Sequence, residues 1–237
     1  MTTFVLVHGA WGGGWQWRGV ARRLRAAGHD VYIPTLTGCG ERGHLIGPDV
    51  TLDTHIQDVA SLIDYEVLDD IALVGHSYAG MVVTGVADRI PERLRALIYI
   101  DAALPKDGEA MLDIVSAKRK KTVIGLAEER GDGYRAPQTL VLETGIENEK
   151  ERENFLNRMC PHPLNALLQP IALTGAFQTV PRKAYIFSAR NNSHKFREYR
   201  DWAENEPGWT AETMDTWHFP MATTPGATAI MLNRLVT

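Results

Sequence analysis

The chain has 237 residues, of which 44% are hydrophobic and 23% are charged, a composition typical of a globular protein with one substantial core. A formal net charge of −4 gives no electrostatic reason to expect a nucleic acid or an anionic membrane as a partner. No apolar run is long enough for a transmembrane helix, and the N-terminus lacks the features of a signal peptide. We therefore expect a cytoplasmic protein.

Short apolar runs alternate with helical periodicity along most of the chain. The predicted strands are residues 4–7, 30–34, 71–74, 97–100, 184–187 and 209–214. The predicted helices are residues 17–27, 51–67, 78–90, 195–204 and 225–235. Strands that are apolar throughout and separated by helices indicate a sheet covered on both faces. The predicted fold class is α/β, with a mostly parallel, doubly wound sheet.

This alternation stops between Pro105 and Val180, where about 75 residues contain no convincing core strand, far more than an ordinary connection. We interpret residues 105–180 as a helical cap inserted after the strand that ends at Asp101. Residues 1–104 and 181–237 are then the two parts of the core.

The remaining composition gives little sign of metal or polyanion binding. Cys39 and Cys160 are the only cysteines, so no disulfide framework is implied. Cys160 and His162 are two potential metal ligands, too few for a zinc site, and we expect no metal. The basic run KRKK at residues 118–121 is typical of a solvated helix face.

A potential nucleophile follows the third predicted strand. In the run GHSYAG, Ser77 lies between a buried strand and an apolar helix, with the small residues Gly75 and Ala79 where a sharp turn needs little bulk. Such a turn lifts the hydroxyl out of the sheet beside a helix N-terminus, which favours negative charge. The pattern G-x-S-x-A differs from G-x-S-x-G by one methyl group. We predict Ser77 as the nucleophile and the adjacent His76 as a structural residue.

A second motif, HGAWGGGWQW, follows the first predicted strand. A backbone N–H in such a loop can turn toward the serine and stabilise the oxyanion of an acyl-transfer intermediate. We assign the two donors to the backbone N–H groups of Ala10 and Tyr78. Trp11 and Trp15 are candidates for the substrate pocket, with core packing as the alternative.

The general base is predicted late in the chain. His218, in the run DTWHFPM, follows the last predicted strand and precedes a helix that begins at a proline. Loops at the carboxyl ends of strands are where a doubly wound sheet gathers its site residues. We therefore predict His218 as the base.

Together these motifs resemble the α/β-hydrolase superfamily. FVLVHGAW, ERGHL, GHSYAG and WHFPM are similar to motifs of the small capped esterases akin to plant methylesterases and hydroxynitrile lyases, and of their bacterial relatives. The resemblance covers nearly the whole chain and implies a Ser–acid–His triad, no cofactor and a mostly apolar pocket under the cap. Lyases that resemble this family carry Thr at the position of Gly9 and Lys at that of Phe219, so an esterase is favoured.

The acid of that triad is missing from its usual place. In hydrolases of this kind a carboxylate follows the strand predicted at residues 184–187, but this chain has Asn191 and Asn192 there. Asp101 is our candidate, because it ends the preceding strand and should emerge at the same edge of the sheet. Asp215 and the absence of any carboxylate stay open, as does a loop-capping role for Asp101.

The sequence thus predicts a cofactor-independent carboxylic ester hydrolase for small or aromatic esters. Its catalytic residues would be Ser77, His218 and Asp101, and its partner a small-molecule ester; a homodimer stays open. Two alternatives remain: C–C bond chemistry of the hydroxynitrile-lyase kind, and a ligand-binding relative with little turnover.

Overall fold

The computed structural model describes residues 1–138 and 144–236 of the protein. The strands in this part of the chain are β1 (Thr3–Val7), β2 (Asp30–Tyr32), β3 (Ile71–His76), β4 (Leu94–Ile100), β5 (Arg135–Ala136), β6 (His162–Pro163), β7 (Arg182–Ser188) and β8 (Trp209–Met214). The α-helices are α1 (Arg18–Ala26), α2 (Leu52–Tyr65), α3 (Ala79–Arg89), α4 (Met111–Ile114), α5 (Ala117–Arg130), α6 (Glu149–Asn157), α7 (Leu164–Leu168), α8 (His194–Asn205), α9 (Pro220–Thr223) and α10 (Pro225–Val236). Short 3-10 helices occur at Gly14–Trp17, Gly40–Leu45, Pro91–Arg93 and Ala176–Thr179.

Six strands form one sheet in the order β2-β1-β3-β4-β7-β8, and every neighbouring pair in it is parallel. All six residues of β3 are buried, as expected for a strand covered by helices on both faces. Successive side chains alternate between two apolar layers: Leu73 packs with residues of α2 and α3, and Val74 with residues of α1 and α10. The prediction of an α/β fold with a mostly parallel, doubly wound sheet is confirmed.

The predicted elements outside residues 105–180 are all present, with shifts of a few residues at their ends. The fourth strand begins earlier than predicted, at Leu94, and the third continues to His76. Helix α2 begins at a capping box in which Thr51 and Thr54 each accept a hydrogen bond from the other's backbone N–H. Ser193 caps α8 by accepting a hydrogen bond from the backbone N–H of Phe196.

Between residues 105 and 180, the described part of the chain adds no strand to the main sheet. It contains four α-helices and the two-residue antiparallel pair β5–β6, in which Ala136 is the partner of His162. The side chain of Gln169 joins this segment to α2, because it accepts a hydrogen bond from the backbone of Asp53 and donates another to that residue's carboxylate. The cap boundaries stay a prediction, and residues 139–143 of the predicted cap lie outside the described residues.

The first turn of α3 packs directly on the loop that follows β4. The backbone oxygen of Ser77 accepts hydrogen bonds from the N–H groups of Gly80 and Ala103, at 3.1 and 3.0 Å. A Cβ atom at Gly80 would lie only 1.9 Å from the carbonyl oxygen of Ala103. The close contact between Gly80 and Ala103 therefore requires glycine, and it fixes the loop after β4 against the turn before α3.

None of the helices within residues 1–138 and 144–236 combines the length and apolar character needed to cross a membrane.

We expect Gly80→Ala to destabilise the fold by about 1–3 kcal/mol, because the added methyl group meets backbone atoms that cannot move independently. Gly125→Ala is the matched control: Gly125 lies in α5, and a Cβ atom there would contact nothing within 4 Å. This control should stabilise the protein by about 0.5–1 kcal/mol through helix propensity. Urea unfolding of both variants measures the difference, and equal effects would contradict the packing argument.

Candidate active site

The predicted nucleophile lies in a strained turn between β3 and α3. Ser77 has a φ of 55°, in the left-handed region that costs a residue with a side chain about 1–2 kcal/mol. Its backbone N–H donates a hydrogen bond to the carbonyl oxygen of Ile100, at 3.3 Å, which holds the turn against β4. A Cβ atom at Gly75 would lie 2.8 Å from the backbone oxygen of Ala79, so the turn also needs glycine there. Ser77 lines a cavity at this edge of the sheet.

The structure brings the three predicted catalytic side chains into one chain of hydrogen bonds. The Nε2 atom of His218 lies 3.1 Å from the Oγ atom of Ser77, and its Nδ1 atom lies 2.6 Å from Oδ2 of Asp101. A carboxylate can only accept, so Nδ1 carries the proton and Nε2 is free to accept the proton of the serine hydroxyl. His218 therefore has the tautomer that a general base for a serine nucleophile requires.

Asp101 is held in place by strand β7 and the loop after it. The residue is fully buried and also has a left-handed backbone, with a φ of 46°. Its backbone N–H donates to the carbonyl oxygen of Ile186 at 2.7 Å, and its Oδ1 accepts from the backbone N–H of Ser188 at 3.2 Å. The first bond fixes the backbone of Asp101, and the second holds one carboxylate oxygen so that the other faces His218.

Asn191 occupies the usual position of the acid and contacts the carboxylate of Asp101. Its side-chain amide donates a hydrogen bond to Oδ2 of Asp101, and the same nitrogen lies 3.3 Å from Nδ1 of His218. Sequence reasoning identifies Asn191 only as the replacement for an acid. The structure adds that its amide donates a hydrogen bond to a buried carboxylate that would be costly to leave without donors. The adjacent Asn192 lines the cavity.

Asp215, the alternative acid, lies at the surface. Its side chain is 77% exposed and forms a two-point ion pair with Arg190, at 2.8 and 2.9 Å. The guanidinium of Arg190 holds the pKa of Asp215 below its usual value. The geometry therefore favours Asp101 over Asp215 as the partner of His218.

The imidazole of His218 is enclosed by other rings. Phe196 stacks on it with the centroids 5.9 Å apart, and Phe219 packs at 5.0 Å in an edge-on arrangement. His76 lies 4.7 Å away and donates its Nε2 proton to the backbone oxygen of His218 at 2.7 Å. Burial holds the pKa of His76 well below its usual value, so this ring stays neutral and braces the loop. Its placement agrees with the structural role predicted for it.

The predicted oxyanion donors lie on either side of the serine. Ala10 and Tyr78 both line the cavity, and within residues 1–138 and 144–236 neither backbone N–H has a hydrogen-bond partner. Two unpaired N–H groups beside a nucleophile are what a developing oxyanion needs. The assignment stays a prediction.

The cavity beside Ser77 has a volume of about 740 Å³. Part of its apolar wall comes from the predicted cap and includes Leu112, Val115 and Val123. Trp11 lines the cavity and donates its Nε1 proton to the backbone oxygen of Ala136 at 2.9 Å. Trp15 lies outside it: its ring packs on Phe155, with Arg158 4.0 Å above. Of the two candidate pocket residues, only Trp11 therefore reaches the site.

One further lining residue belongs to the basic run KRKK. Arg119 borders the cavity and is half-buried, whereas Lys118 and Lys121 are exposed. The prediction of a solvated face is thus wrong for Arg119, because the helix turns this one side chain inward. Periodicity could have indicated this orientation, since Arg119 precedes the buried Val123 by four residues.

A group of buried histidines lies behind the cavity. The Nδ1 atom of His55 accepts a hydrogen bond from the hydroxyl of Tyr78 at 2.9 Å, and its Nε2 donates to the backbone oxygen of Thr37 at 2.9 Å. His8 accepts at Nε2 from the backbone N–H of Leu36 and donates at Nδ1 to the oxygen of Gly9. Burial lowers the pKa of each histidine to about 4, so both are neutral at pH 7. Within residues 1–138 and 144–236, no cluster of three or more His, Cys, Asp or Glu is arranged to hold a metal ion.

Residues 4–229 match the model of the alpha/beta hydrolase family. The chain belongs to that family. Over 244 aligned residues it is 38% identical to the carbendazim hydrolyzing esterase of Nocardioides sp. (strain SG-4G), and the alignment covers 99% of this chain and 100% of that protein. Over 103 residues it is 34% identical to salicylic acid-binding protein 2 of Nicotiana tabacum, covering 43% of this chain and 40% of that protein.

A solved structure agrees with the fold over nearly the whole chain. It is an extracellular alpha/beta-hydrolase from a Paenibacillus species, with a TM-score of 0.88, 23% sequence identity and coverage of 99% of each chain. At this identity the likeness shows the fold alone. The family match and the esterase relative that aligns over its full length support a hydrolase of the esterase kind.

The lowered pKa values of His8 and His55 predict a loss of stability in mild acid. His8 and His55 each have a pKa of about 4 when folded and near 6.5 when unfolded, so between these values the unfolded chain binds more protons than the folded protein. The free energy of unfolding should therefore fall as the pH drops from 6.5 toward 4, by roughly 2 kcal/mol per histidine at pH 5. Urea unfolding between pH 5 and pH 7 measures this slope. His55→Gln should flatten it, and the exposed His44→Gln should not; equal slopes in both variants would contradict the assignment.

Proposed function

We propose that this protein is a carboxylic ester hydrolase that acts through a serine acyl-enzyme on small or aromatic esters. The observation that carries the proposal is the hydrogen-bond chain from Ser77 through His218 to the buried Asp101, at 3.1 and 2.6 Å. It supplies a nucleophile, a base in the required tautomer, and a negative charge that stabilises the imidazolium.

In the proposed reaction, the Oγ atom of Ser77 attacks the ester carbonyl while His218 takes its proton. The backbone N–H groups of Ala10 and Tyr78 stabilise the oxyanion. The tetrahedral intermediate expels the alcohol, which receives the proton from His218. A water molecule, deprotonated by His218, then attacks the acyl-enzyme; the carboxylic acid leaves and the proton returns to Ser77. No cofactor takes part in this sequence of steps.

Two features support ester hydrolysis over C–C bond chemistry of the lyase kind. Phe219 follows the base and is buried with its ring against His218, so no ammonium group stands at that position to stabilise a leaving anion. Gly9 lies just after β1, in the HGAWGGGWQW motif, and a Cβ atom there would lie 2.9 Å from the Cβ of Ser77. A larger residue would crowd the nucleophile, whereas glycine leaves room for the ester.

The choice of substrate class rests on the relatives and on the cavity. The full-length relative is named as an esterase that hydrolyses carbendazim, and several plant proteins of lower coverage are named as methylesterases. A cavity of about 740 Å³ with an apolar wall suits an ester of modest size.

The first test is covalent labelling and turnover. Wild type should react with a fluorophosphonate at Ser77, located by peptide mass spectrometry, and should hydrolyse p-nitrophenyl acetate and butyrate. Ser77→Ala should lose both. Stoichiometric labelling with little turnover would instead favour the ligand-binding alternative, and cyanide release from a cyanohydrin without ester hydrolysis would favour the lyase alternative.

A second test concerns the acid. Asp101→Asn should lower kcat about 10³–10⁴-fold, because the amide provides no negative charge and disturbs the tautomer of His218. Asp215→Asn is the matched control: the same change at an exposed carboxylate should alter kcat less than about twofold.

The double variant Asp101→Asn/Asn191→Asp should be at least tenfold more active than Asp101→Asn alone, because a carboxylate then lies within reach of Nδ1 of His218. In the wild-type background Asn191→Asp places two carboxylates together and should lower activity. A full effect of Asp215→Asn, with none of Asp101→Asn, would overturn the assignment of the acid.

A further inference from the structure

The cavity beside Ser77 has an unbalanced set of charges. Three cationic side chains line it, those of Arg119, Arg190 and Lys195, while no aspartate or glutamate within residues 1–138 and 144–236 does. The chain as a whole has a formal net charge of −4, so this excess is not a property of its general composition. A cavity that is lined by charges of one sign and by apolar walls attracts ligands of the opposite charge.

Two of these three cations already have partners at the rim. Arg190 pairs with Asp215 at 2.8 Å, and Lys195 pairs with Glu198 at 3.3 Å. Arg119 differs, because its guanidinium has no carboxylate or hydrogen-bond partner among the described residues. Burial lowers its pKa, with no neighbouring carboxylate to offset the effect.

The position of Arg119 on α5 directs it to the cavity. Ser116, Arg119 and Val123 all border the cavity, and their spacing of three and four residues places them on one face of the helix. Lys118 and Lys121 are exposed, and Lys120 is occupied by an ion pair with Asp113 at 2.7 Å. Within this basic run, one cation is therefore separated from the rest and placed in the site.

A half-buried guanidinium without a counter-ion has lost hydration that nothing in the described protein replaces. A carboxylate is its natural partner, because two parallel N–H donors match two carboxylate oxygens. The ester carbonyl itself must lie at Ser77, so an anion at Arg119 belongs to a second group on the same substrate. Leu112, Val115 and Val123 provide apolar wall for a hydrocarbon segment between the two groups.

We propose that Arg119 binds a free carboxylate of the substrate, so that the preferred substrates are esters that carry a second, ionised carboxyl group. Half-esters of dicarboxylic acids and esters whose alcohol part bears a carboxylate belong to this class. The inference rests on the proposed ester hydrolysis and specifies the substrate of that same site.

The test compares esters that differ by one carboxylate. Monophenyl adipate is matched with phenyl hexanoate, in which a methyl group replaces the carboxylate, and para-acetoxyphenylacetate is matched with para-methylphenyl acetate. In at least one pair, wild type should show a higher kcat/KM for the anionic ester, mainly through KM. Added salt should weaken that preference, because it screens the charge.

Variants assign the preference to a residue. Arg119→Gln should reduce the ratio of kcat/KM between anionic and neutral ester by about tenfold, as expected for one charge-assisted contact, and Arg119→Lys should retain part of it. Lys121→Gln is the matched control: it removes one positive charge from the exposed side of the same helix and should leave the ratio near that of wild type. Thermal unfolding of each variant shows that the comparison is made on folded protein.

The outcomes separate the two levels of the proposal. If wild type hydrolyses both members of each pair equally, or if Arg119→Gln and Lys121→Gln change the ratio alike, the carboxylate site is overturned and ester hydrolysis stands. If wild type hydrolyses none of the four esters while its labelling at Ser77 also fails, the proposed function itself is wrong.

Discussion

The candidate site depends on the parallel pairing of β3, β4, β7 and β8. Hydrogen bonding between these strands continues past their ends into the turns that carry the functional side chains. The N–H of Ser77 donates to Ile100, the N–H of Asp101 donates to Ile186, and the N–H of Ala189 donates to Met214. Each turn is therefore fixed by the strand beside it, and two residues in left-handed conformations are tolerated at one edge. The backbone positions of Ser77 and Asp101 therefore follow from the register of the sheet.

The same register explains how Asp101, the proposed acid, can reach His218 from one strand away from the usual place of that acid. Adjacent parallel strands end at the same edge, and an imidazole can reach a carboxylate on either of them. Asp101 is fully buried, so its charge needs donors, and it receives them from the backbone of Ser188, the amide of Asn191 and the ring of His218. A second carboxylate at position 191 would repel the first. Asparagine there is consequently compatible with Asp101 as the proposed acid and does not by itself indicate lost catalysis.

Sequence reasoning predicted the features that depend on local pattern. Buried strands, amphipathic helices and the serine turn each have a short-range signature, and placing Asp101 and His218 at one edge needs only the rule that parallel strands end together. It failed where long-range packing decides. Trp11 and Trp15 lie in one loop with similar surroundings in sequence, yet only Trp11 borders the cavity. The solvated face predicted for Arg119 is wrong for a different reason: a run of four cations gives no helix phase by itself, and the buried Val123, four residues later, sets that phase. The contact of Asn191 with Asp101 spans 90 positions and has no local signal.

The two functions of the site come from different parts of the chain. Ser77, Asp101 and His218 lie at the ends of sheet strands, and their geometry is constrained by backbone hydrogen bonds and buried rings. Part of the apolar wall and the guanidinium of Arg119 come from α4, α5 and the segment between them, which lie outside the main sheet. A substitution on α5 can therefore alter which ester is bound without moving the atoms that react. In the proposed mechanism, a change at the sheet edge instead affects every substrate, because it alters the proposed nucleophile, its base or the carboxylate that supports the base.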